Sequence, residues 1–328
     1  MLKIEVPNLD LELSKESQYR DMTVDEPKDF LGREFSEEGI NSVASCCSIP
    51  GGYLKKVYES DKDLFRSNVE YWSKATDFFA KYKMIVKGEM VAGFCKTSHQ
   101  LISTERILNE ITNVFTKNNW DGKVEKLAIS PKDSFVNVVF EGLSIDAAAG
   151  EPKRGDLLNA GFSLSHSMLG VYADKMTAYV SRLVCSNGMI AHDDRLGWKK
   201  ELDETYSNYF PLLGEYMGRA FDTGQGTLEK FAELKRIPVT DPIKSISSMG
   251  DKMGIGAKAT NSILQQLNSP DVKVENLYDV MNLFTFYSTH VIDDPYLTRR
   301  LQSRVGDLME STLCDHCHQV IKRLKISN

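Results

Sequence analysis

The spacing of apolar residues changes near residue 205, and this change constrains the fold more than any other feature of the chain. Between about residues 77 and 190, short runs alternate apolar and polar side chains, as half-buried strands do. After residue 205, apolar residues recur at helical spacing. Strands followed by helices, rather than strands alternating with helices, are typical of an α+β fold. We therefore expect an antiparallel, strand-rich core with an inserted helix, packed by a helical C-terminal half.

Individual elements follow from the same spacing. A hairpin turned at Lys87-Gly88-Glu89 is predicted within residues 78–96, and glycines between 218 and 226 are interpreted as turn residues. Further strands are predicted at 123–130, 134–141, 158–167 and 175–185, with a surface loop at 147–156. Helices are predicted at 36–47, 53–76, 104–118, 205–220, 226–236, 242–252, 257–267, 276–291 and 295–312.

Acidic residues are concentrated at the N-terminal end. The first 70 residues hold fifteen acidic and nine basic side chains, which accounts for the whole net charge of -6. We expect residues 1–35 to form an acidic N-terminal arm with little core of its own, through which a protein partner would bind. Residues 36–76 would be a helical segment, 77–312 an α+β domain (strand-rich over 77–190, helical over 205–312) and 313–328 a C-terminal tail. The neutral remainder argues against bulk attraction to nucleic acid but allows a local basic groove.

Several classes of protein are disfavoured. The chain has no apolar run of membrane-spanning length, and its acidic start does not resemble a secretory signal. We therefore expect a cytoplasmic protein without a membrane partner, whose six cysteines stay reduced. No phosphate-binding P-loop or GxGxxG motif occurs, so we expect no cofactor. Zinc usually needs four ligands, and the CxxC of Cys314 and Cys317 lacks a second matching pair, so we expect no metal.

The stretch GIGAKATNSIL, residues 254–264, resembles the turn of a helix-hairpin-helix DNA-binding element. The first turn of a helix leaves backbone N–H groups unpaired, and Gly254 and Gly256 would let those groups approach a phosphate. Lys258 would add positive charge beside them. The alternative is a joint between helices that uses glycine only to turn.

Three further stretches carry a resemblance to a known family: GFSLSHSMLG (161–170), SRLVCSNGMIA (181–191) and NLFTFYSTH (282–290). Together they resemble the phage/plasmid-like family known as domain of unknown function 932, over roughly residues 75–310. The resemblance implies a phage- or plasmid-encoded protein in a bacterial host cell and brings no established activity. A link to single-strand annealing proteins is an analogy of organisation. The signature residues are Arg182, Leu183, Val184, Cys185, Ser186, Asn187 and Gly188, with Asn282, Thr285, Tyr287, Thr289 and His290.

These residues also have a physical interpretation of their own. By alternation, Arg182 shares an apolar strand face with Val180, so its guanidinium must be paired with a carboxylate or reach a groove and clamp a phosphate. Cys185 is expected to be a small core residue, and Asn187-Gly188 to form a turn. The polar face of the later helix would dock on the sheet and hydrogen-bond to this turn, or would face a ligand.

We therefore predict a nucleic-acid-binding protein that binds or anneals single-stranded DNA in recombination or replication, with homo-oligomers as a further expectation. Arg182, Lys153 and Arg154 would line the groove, while Gly254, Gly256 and Lys258 would contact phosphates. One alternative is a non-enzymatic protein-interaction or anti-defence factor acting through the N-terminal arm. Another is an enzyme with a site around Arg182, Asn187 and His290.

Overall fold

The fold is α+β, which confirms the predicted class. A computed structural model describes residues 2–3, 22–25, 27–129, 134–146, 157–182, 187–191, 199–202, 206–270 and 272–313, and within them two sheets and ten α-helices. The strands are β1 (Leu2–Lys3), β2 (Met22–Asp25), β3 (Tyr82–Lys87), β4 (Met90–Lys96), β5 (Gly122–Ala128), β6 (Ser134–Asp146), β7 (Leu157–His166), β8 (Asp174–Arg182), β9 (Asn187–Ala191) and β10 (Lys199–Leu202). The helices are α1 (Glu37–Cys46), α2 (Gly51–Ser60), α3 (Lys62–Ala75), α4 (Phe78–Lys81), α5 (Thr104–Asn118), α6 (Tyr206–Ala232), α7 (Pro242–Lys252), α8 (Ala257–Gln265), α9 (Leu277–His290) and α10 (Pro295–Leu313).

The larger sheet has seven strands and is antiparallel except at one edge. Strands β5, β6, β7 and β8 pair in sequence order, and β1 pairs in parallel with β5. Strand β8 has two partners on its other side: β10 pairs with its first half and β9 with its second half. The strands that the alternation predicts between residues 123 and 185 are all present.

Alternation gives this sheet two chemically different faces. On the apolar face, Val138, Phe162 and Met176 are buried beneath α5 and α6. On the polar face, Asn137, Ser163 and Thr177 are equally buried, and α10 packs beside them against β9. The members of the polar face are Asn137, Asn159, Ser163, Ser165, Thr177, Tyr179 and Ser181.

Helix α6 corrects the prediction of two helices separated by a glycine turn. It runs unbroken from Tyr206 to Ala232, through Gly218, Gly224 and Gly226. A Cβ on Gly224 would stand 2.8 Å from Leu143 Cδ1 and 3.0 Å from Ala160 Cβ. The glycine therefore allows the helix to lie close to the sheet, and the turn predicted from the glycines is wrong.

Residues 22–96 form a separate smaller lobe, which differs from the predicted division. Helices α1 to α3 and the β3–β4 hairpin share one apolar cluster that includes Phe30, Phe65 and Phe94, so the predicted boundary between residues 76 and 77 falls inside a core. The end of the expected arm belongs to it as well, because β2 pairs with β3 and Phe30 is fully buried. The single helix predicted at 53–76 is broken at Asp61, whose carboxylate caps α3.

The two lobes meet at the turn between β7 and β8. Leu169 in this turn packs with Ile85 and Cys95 of the small sheet. The ring of His99 reaches the same turn, with Nε2 2.9 Å from the carbonyl oxygen of Met168. Within the part of the chain described here, no helix is both long and apolar enough to cross a bilayer.

Candidate nucleic-acid interface

The glycine turn between α7 and α8 is a helix C-terminus of defined geometry. Gly254 has a φ of +62°, its N–H donates to the carbonyl of Asp251 at 3.0 Å, and the N–H of Ile255 donates to the carbonyl of Gly250 at 2.9 Å. This pair of bonds is the Schellman motif, which requires a left-handed residue at the position of Gly254. Ile255 then packs on the apolar cluster of the C-terminal helices, so the turn is rigidly anchored.

The start of α8 is open toward solvent. Gly256 is the N-cap residue of α8, with an extended backbone (φ -64°, ψ 151°), and nothing lies within 4 Å of the position of its missing Cβ. Ala257 and Lys258, the first helical residues, are exposed. Because the first N–H groups of a helix have no acceptor within it, this terminus presents donors and the positive end of the helix dipole. Gly254 is thus required by backbone conformation, whereas Gly256 keeps the terminus uncovered.

An arginine of α10 binds this turn. Arg304 Nη1 donates to the carbonyl oxygen of Gly254 at 3.2 Å, and Arg300 lies one helical turn earlier. Lys252 ends α7 and Lys258 is the second residue of α8, so with Arg300 and Arg304 the three helices carry four cations, alongside the exposed carboxylates of Asp251 and Asp307. We call this group the hairpin site: Lys252, Gly254, Gly256, Lys258, Arg300 and Arg304.

The other predicted phosphate ligands do not extend this surface within the described residues. Arg182, at the end of β8, is half-buried with its guanidinium 5.8 Å from the ring centroid of Tyr278 on α9. Lys235 approaches the same ring at 4.9 Å. Lys153 and Arg154 lie outside the described residues. Arg182 therefore points into the packing between the sheet and the C-terminal helices.

The signature residues are partly brought together. Asn187 and Gly188 begin β9, paired with Arg182 and Ser181, so they are strand residues and the predicted turn there is wrong. Residues 183–186, including Cys185, lie outside the described residues. Helix α9 packs against β9, as expected of a docked helix.

The polar side chains of α9 mainly bond within the helix. Thr285 Oγ1 donates to the carbonyl oxygen of Asn282 at 3.1 Å, and Thr289 Oγ1 donates to that of Thr285 at 2.9 Å. His290 is exposed, with its ring centroid 4.5 Å from that of Phe286. The two hydrogen bonds of Thr285 and Thr289 pair these hydroxyls within α9 itself.

The polar face of the large sheet is the feature that sequence reasoning missed. Register places Phe135 opposite Ser165, and Asn137 opposite Ser163. Arg299 of α10 reaches this surface: its Nη2 donates to Ser165 Oγ, and its guanidinium lies 5.4 Å from the ring centroid of Phe135.

Several buried polar atoms of α10 and of the polar face have no hydrogen-bond partner in the structure. They are Nδ2 and Oδ1 of Asn137, Oγ of Ser163 and Oε1 of Gln302. Asn137 lies beside the Tyr179 hydroxyl but makes no hydrogen bond of good geometry with it. Each such atom costs about 1–3 kcal/mol of lost solvation.

A buried carboxyl closes the far end of the polar face. A β-bulge in β5 turns Glu125 toward β8, where its Oε1 accepts from Ser181 Oγ at 2.7 Å and its Oε2 from the Tyr179 hydroxyl at 3.0 Å. Burial raises the pKa of Glu125, and the two hydroxyl donors oppose part of that rise. Burial and the adjacent Glu125 also hold the pKa of Tyr179 well above its ordinary value.

A second buried polar cluster, in contrast, is fully bonded. His166 Nε2 lies 2.7 Å from the carbonyl oxygen of Ile102, and its Nδ1 lies 2.7 Å from Asp174 Oδ2. The Tyr209 hydroxyl donates to the same oxygen at 2.6 Å, and the Ser167 N–H donates to Asp174 Oδ1 at 3.0 Å. Both imidazole nitrogens face acceptors and both carboxylate oxygens face donors, so this cluster ties the lobe junction to α6.

The described cysteines offer no nucleophile at neutral pH. Burial raises the pKa of the Cys46 and Cys95 thiols to about 11 and that of Cys47 to about 12. No group of three or more potential metal-ligating side chains is found in the described ranges. Cys314 and Cys317 lie outside those ranges.

Two patterns in the sequence could have revealed the missed residues. In NAGFSLSH (159–166) every second residue is small or polar, which signals a strand with a polar inner face. In RRLQSR (299–304) three arginines and a glutamine occupy two turns of one helix. Comparison of the chain with protein-family models, with curated proteins and with solved structures finds no match.

Proposed function

We propose that the protein binds nucleic acid, with single-stranded DNA as its substrate, and that the hairpin site contacts the sugar–phosphate backbone. The observation that carries this proposal is the uncovered N-terminus of α8 directly after a rigid glycine turn, with Lys258 beside it and Arg304 bonded to Gly254. Backbone donors, a helix dipole and flexible cations suit phosphate oxygens without reading sequence. The phage/plasmid-like resemblance adds only the expectation of a protein encoded by a mobile element, and a role in recombination or replication is part of the proposal.

The direct test is a titration of the whole chain with fluorescent oligo(dT) and with duplex DNA at several salt concentrations. We expect binding that weakens as salt rises, because contacts to phosphates release counterions, with a slope of about -0.7 per neutralised phosphate for a single strand. Absence of binding to either DNA at low salt would show the proposal to be wrong. Size measured on the same samples would reveal rings or filaments, which favour annealing.

The hairpin site is tested by Gly256→Asp combined with Lys258→Glu. We expect DNA affinity to fall about tenfold or more, equivalent to about 1.4 kcal/mol. The fold should not suffer, because the Gly256 position is open and aspartate is a preferred N-cap residue. Lys244→Glu is the matched control: this exposed lysine lies ten residues back from the turn, about 15 Å along α7. Equal losses of DNA affinity in the two variants would show that the effect comes from the overall charge of the protein and not from the hairpin site.

One observation favours a second function, binding to a protein partner. Helix α3 exposes Leu64, Tyr71 and Trp72 on its outer side, and Tyr53 of α2 extends the same surface through its contact with Asn68. Exposed aromatic clusters are typical of protein interfaces. Tyr71→Ser with Trp72→Ser should abolish capture of such a partner while leaving DNA binding intact; a loss of DNA binding instead would assign this surface to the nucleic acid.

A further inference from the structure

Helix α3 carries apolar side chains both toward the small lobe and toward solvent. Phe65 and Val69 are buried in the apolar cluster of the small lobe. On the outer side of the helix, Leu64 is 45% exposed and Tyr71 is 67% exposed. A surface helix usually places charged or polar residues on that side. The outer side of α3 therefore has the composition of a contact surface.

The outer residues of α3 follow the spacing with which one helix packs along another. Leu64, Asn68, Tyr71 and Ala75 are separated by four, three and four residues, which is the 3.5-residue repeat of a helix-packing seam. Trp72 borders this seam, and its ring lies edge-on to that of Tyr71 with centroids 5.5 Å apart. The seam runs almost the whole length of α3, so it fits a second helix of similar length.

The charges beside the seam indicate which helix fits. Asp63 lies in the first turn of α3 and Lys74 in the last. They are eleven residues apart, about three full turns, so they lie on the same side of the seam. A parallel copy of α3 would place like charges opposite each other and align the helix dipoles. An antiparallel copy places each Lys74 opposite the other Asp63 and opposes the dipoles. The surface of α3 is therefore complementary to itself in the antiparallel orientation.

Both charged side chains are accessible for such contacts. Asp63 is 93% exposed and Lys74 is 68% exposed. Their ion pairs within α3 are made at the surface, with Arg66 at 3.2 Å and with Glu70 at 2.7 Å. Surface pairs of this kind are weak, and an ammonium group has three donors, so Lys74 can reach a second carboxylate while it stays near Glu70.

We propose that α3 packs antiparallel against α3 of a second copy of this chain, in a two-fold symmetric dimer. The two-fold axis crosses the seam between Asn68 and Tyr71. Leu64 then packs on Ala75 of the second copy, and Lys74 pairs with Asp63 of the second copy. The inference names the partner of the aromatic surface, so it rests on the protein-binding function proposed above. Because each copy contributes one short helix, the dimer is small and reversible.

The first test is sedimentation velocity of the full chain between micromolar and several hundred micromolar concentration. We expect a monomer–dimer equilibrium whose dimer fraction rises with concentration. Tyr71→Ser with Trp72→Ser should lower the dimer affinity about tenfold or more, because exposed aromatic side chains dominate such contacts. The melting temperature of the monomer should not change. A chain that stays monomeric throughout, or a dimer that this variant leaves intact, overturns the proposal.

The second test exchanges the charges between two copies. Asp63→Lys alone and Lys74→Asp alone each place like charges at both ends of the dimer, so each should weaken it about tenfold or more. In an equimolar mixture, the new lysine of one variant meets the new aspartate of the other, and the original pair forms at the opposite end. The mixture should therefore recover the affinity of the unmodified chain within about threefold.

Two results of this exchange would contradict the antiparallel dimer. One is a single variant that dimerises like the unmodified chain, and the other is a mixture that does not recover. Lys244→Asp is the matched control for net charge: this lysine is exposed on α7, and its replacement should leave the dimer unchanged.

Failure of this inference can be told apart from failure of the proposed functions. A chain that stays monomeric but is captured by a different protein through Tyr71 and Trp72 contradicts the inference alone. A chain that dimerises through α3 but binds no DNA contradicts the DNA-binding proposal alone. The hairpin site lies within one copy, so Gly256→Asp with Lys258→Glu should leave the dimer affinity unchanged.

Discussion

The two faces of the large sheet are equally buried, but one consists of packed apolar side chains and the other of polar side chains. Phe162 on one face packs among Phe115, Phe140 and other apolar side chains. Ser163, the next residue, lies on the other face, is just as inaccessible and has no hydrogen-bond partner for its hydroxyl. A buried large apolar side chain stabilises a fold by about 1.5–3 kcal/mol, whereas a buried unpaired polar atom costs about 1–3 kcal/mol. Burial alone therefore does not identify the part of the sheet that holds the fold together.

The largest expected effect separates these two neighbours. Phe162→Ala should lower the free energy of unfolding by about 3–5 kcal/mol, because it removes a ring from a packed cluster. Ser163→Ala should change it by about 0.5 kcal/mol or less, or raise it, since no bond is lost. Urea unfolding of both variants measures the difference. Similar losses in the two would mean that the polar face is also a structural core.

A second comparison sets bonded polar groups against unbonded ones. Tyr209→Phe should cost about 1.5–3 kcal/mol, because the Tyr209 hydroxyl donates to the buried carboxylate of Asp174. Gln302→Leu removes an amide whose oxygen is unpartnered and whose nitrogen makes one long bond of 3.4 Å to Thr289, so it should cost far less. The same unfolding assay applies. A Gln302 variant as unstable as the Tyr209 variant would contradict the distinction.

A third test asks how closely the apolar face is packed. Gly224→Ala adds a methyl group within 2.8 Å of Leu143, so crowding should cancel or exceed the gain of about 1 kcal/mol that alanine usually brings to a helix interior. Gly218→Ala, in the same helix but with open space around it, should be stabilising by up to about 1 kcal/mol. Melting temperatures that rise equally in both would show that α6 does not need glycine for its approach to the sheet.

The smallest expected effect is a dependence on pH at the polar face. Burial raises the pKa of Glu125 above its ordinary value of 4.5, so the folded protein binds this proton more tightly than the unfolded chain does. Stability is therefore lost as pH rises from 4.5 through the raised pKa. Glu125→Gln cannot ionise, and should be more stable than the unmodified protein at neutral pH.

The measurement for Glu125 is a set of unfolding curves between about pH 4 and neutral pH. The advantage of Glu125→Gln should shrink as the pH falls through the ordinary carboxyl pKa, below which Glu125 is protonated in both the folded and the unfolded state. An advantage that stays constant across this range would show that ionisation of Glu125 does not contribute.

Local spacing predicted most of the elements because each is decided by its own residues. The helix at 104–118 follows from the apolar side chains that repeat along one of its faces, and the β3–β4 hairpin follows from its glycine turn. The signal failed where a residue acts through a distant neighbour. Gly224 serves contact with β6 and β7, and Phe30 belongs to a core whose other members lie up to 64 residues away.

The candidate site likewise contains residues whose role follows from the local sequence and residues that act through a distant neighbour. The turn at Gly254 could be predicted, because the left-handed backbone conformation favours glycine and the helices on both sides are recognisable from the adjacent sequence. The role of Arg304 could not, because it bonds to a carbonyl 50 residues away. Nor could the pairing of Asn137 with Ser163, which depends on strand register.

Helix α10 carries both Arg304, bonded to the glycine turn, and Arg299, bonded to Ser165 of the sheet. The two arginines are five residues apart on one helix, a rise of about 7.5 Å. A ligand that shifts this helix at one arginine must therefore disturb the contact made by the other. Occupancy of the α8 terminus and the packing of α10 on the sheet would then be thermodynamically linked, and the linkage would be reciprocal: whatever factor this packing imposes on DNA affinity, bound DNA imposes on the packing.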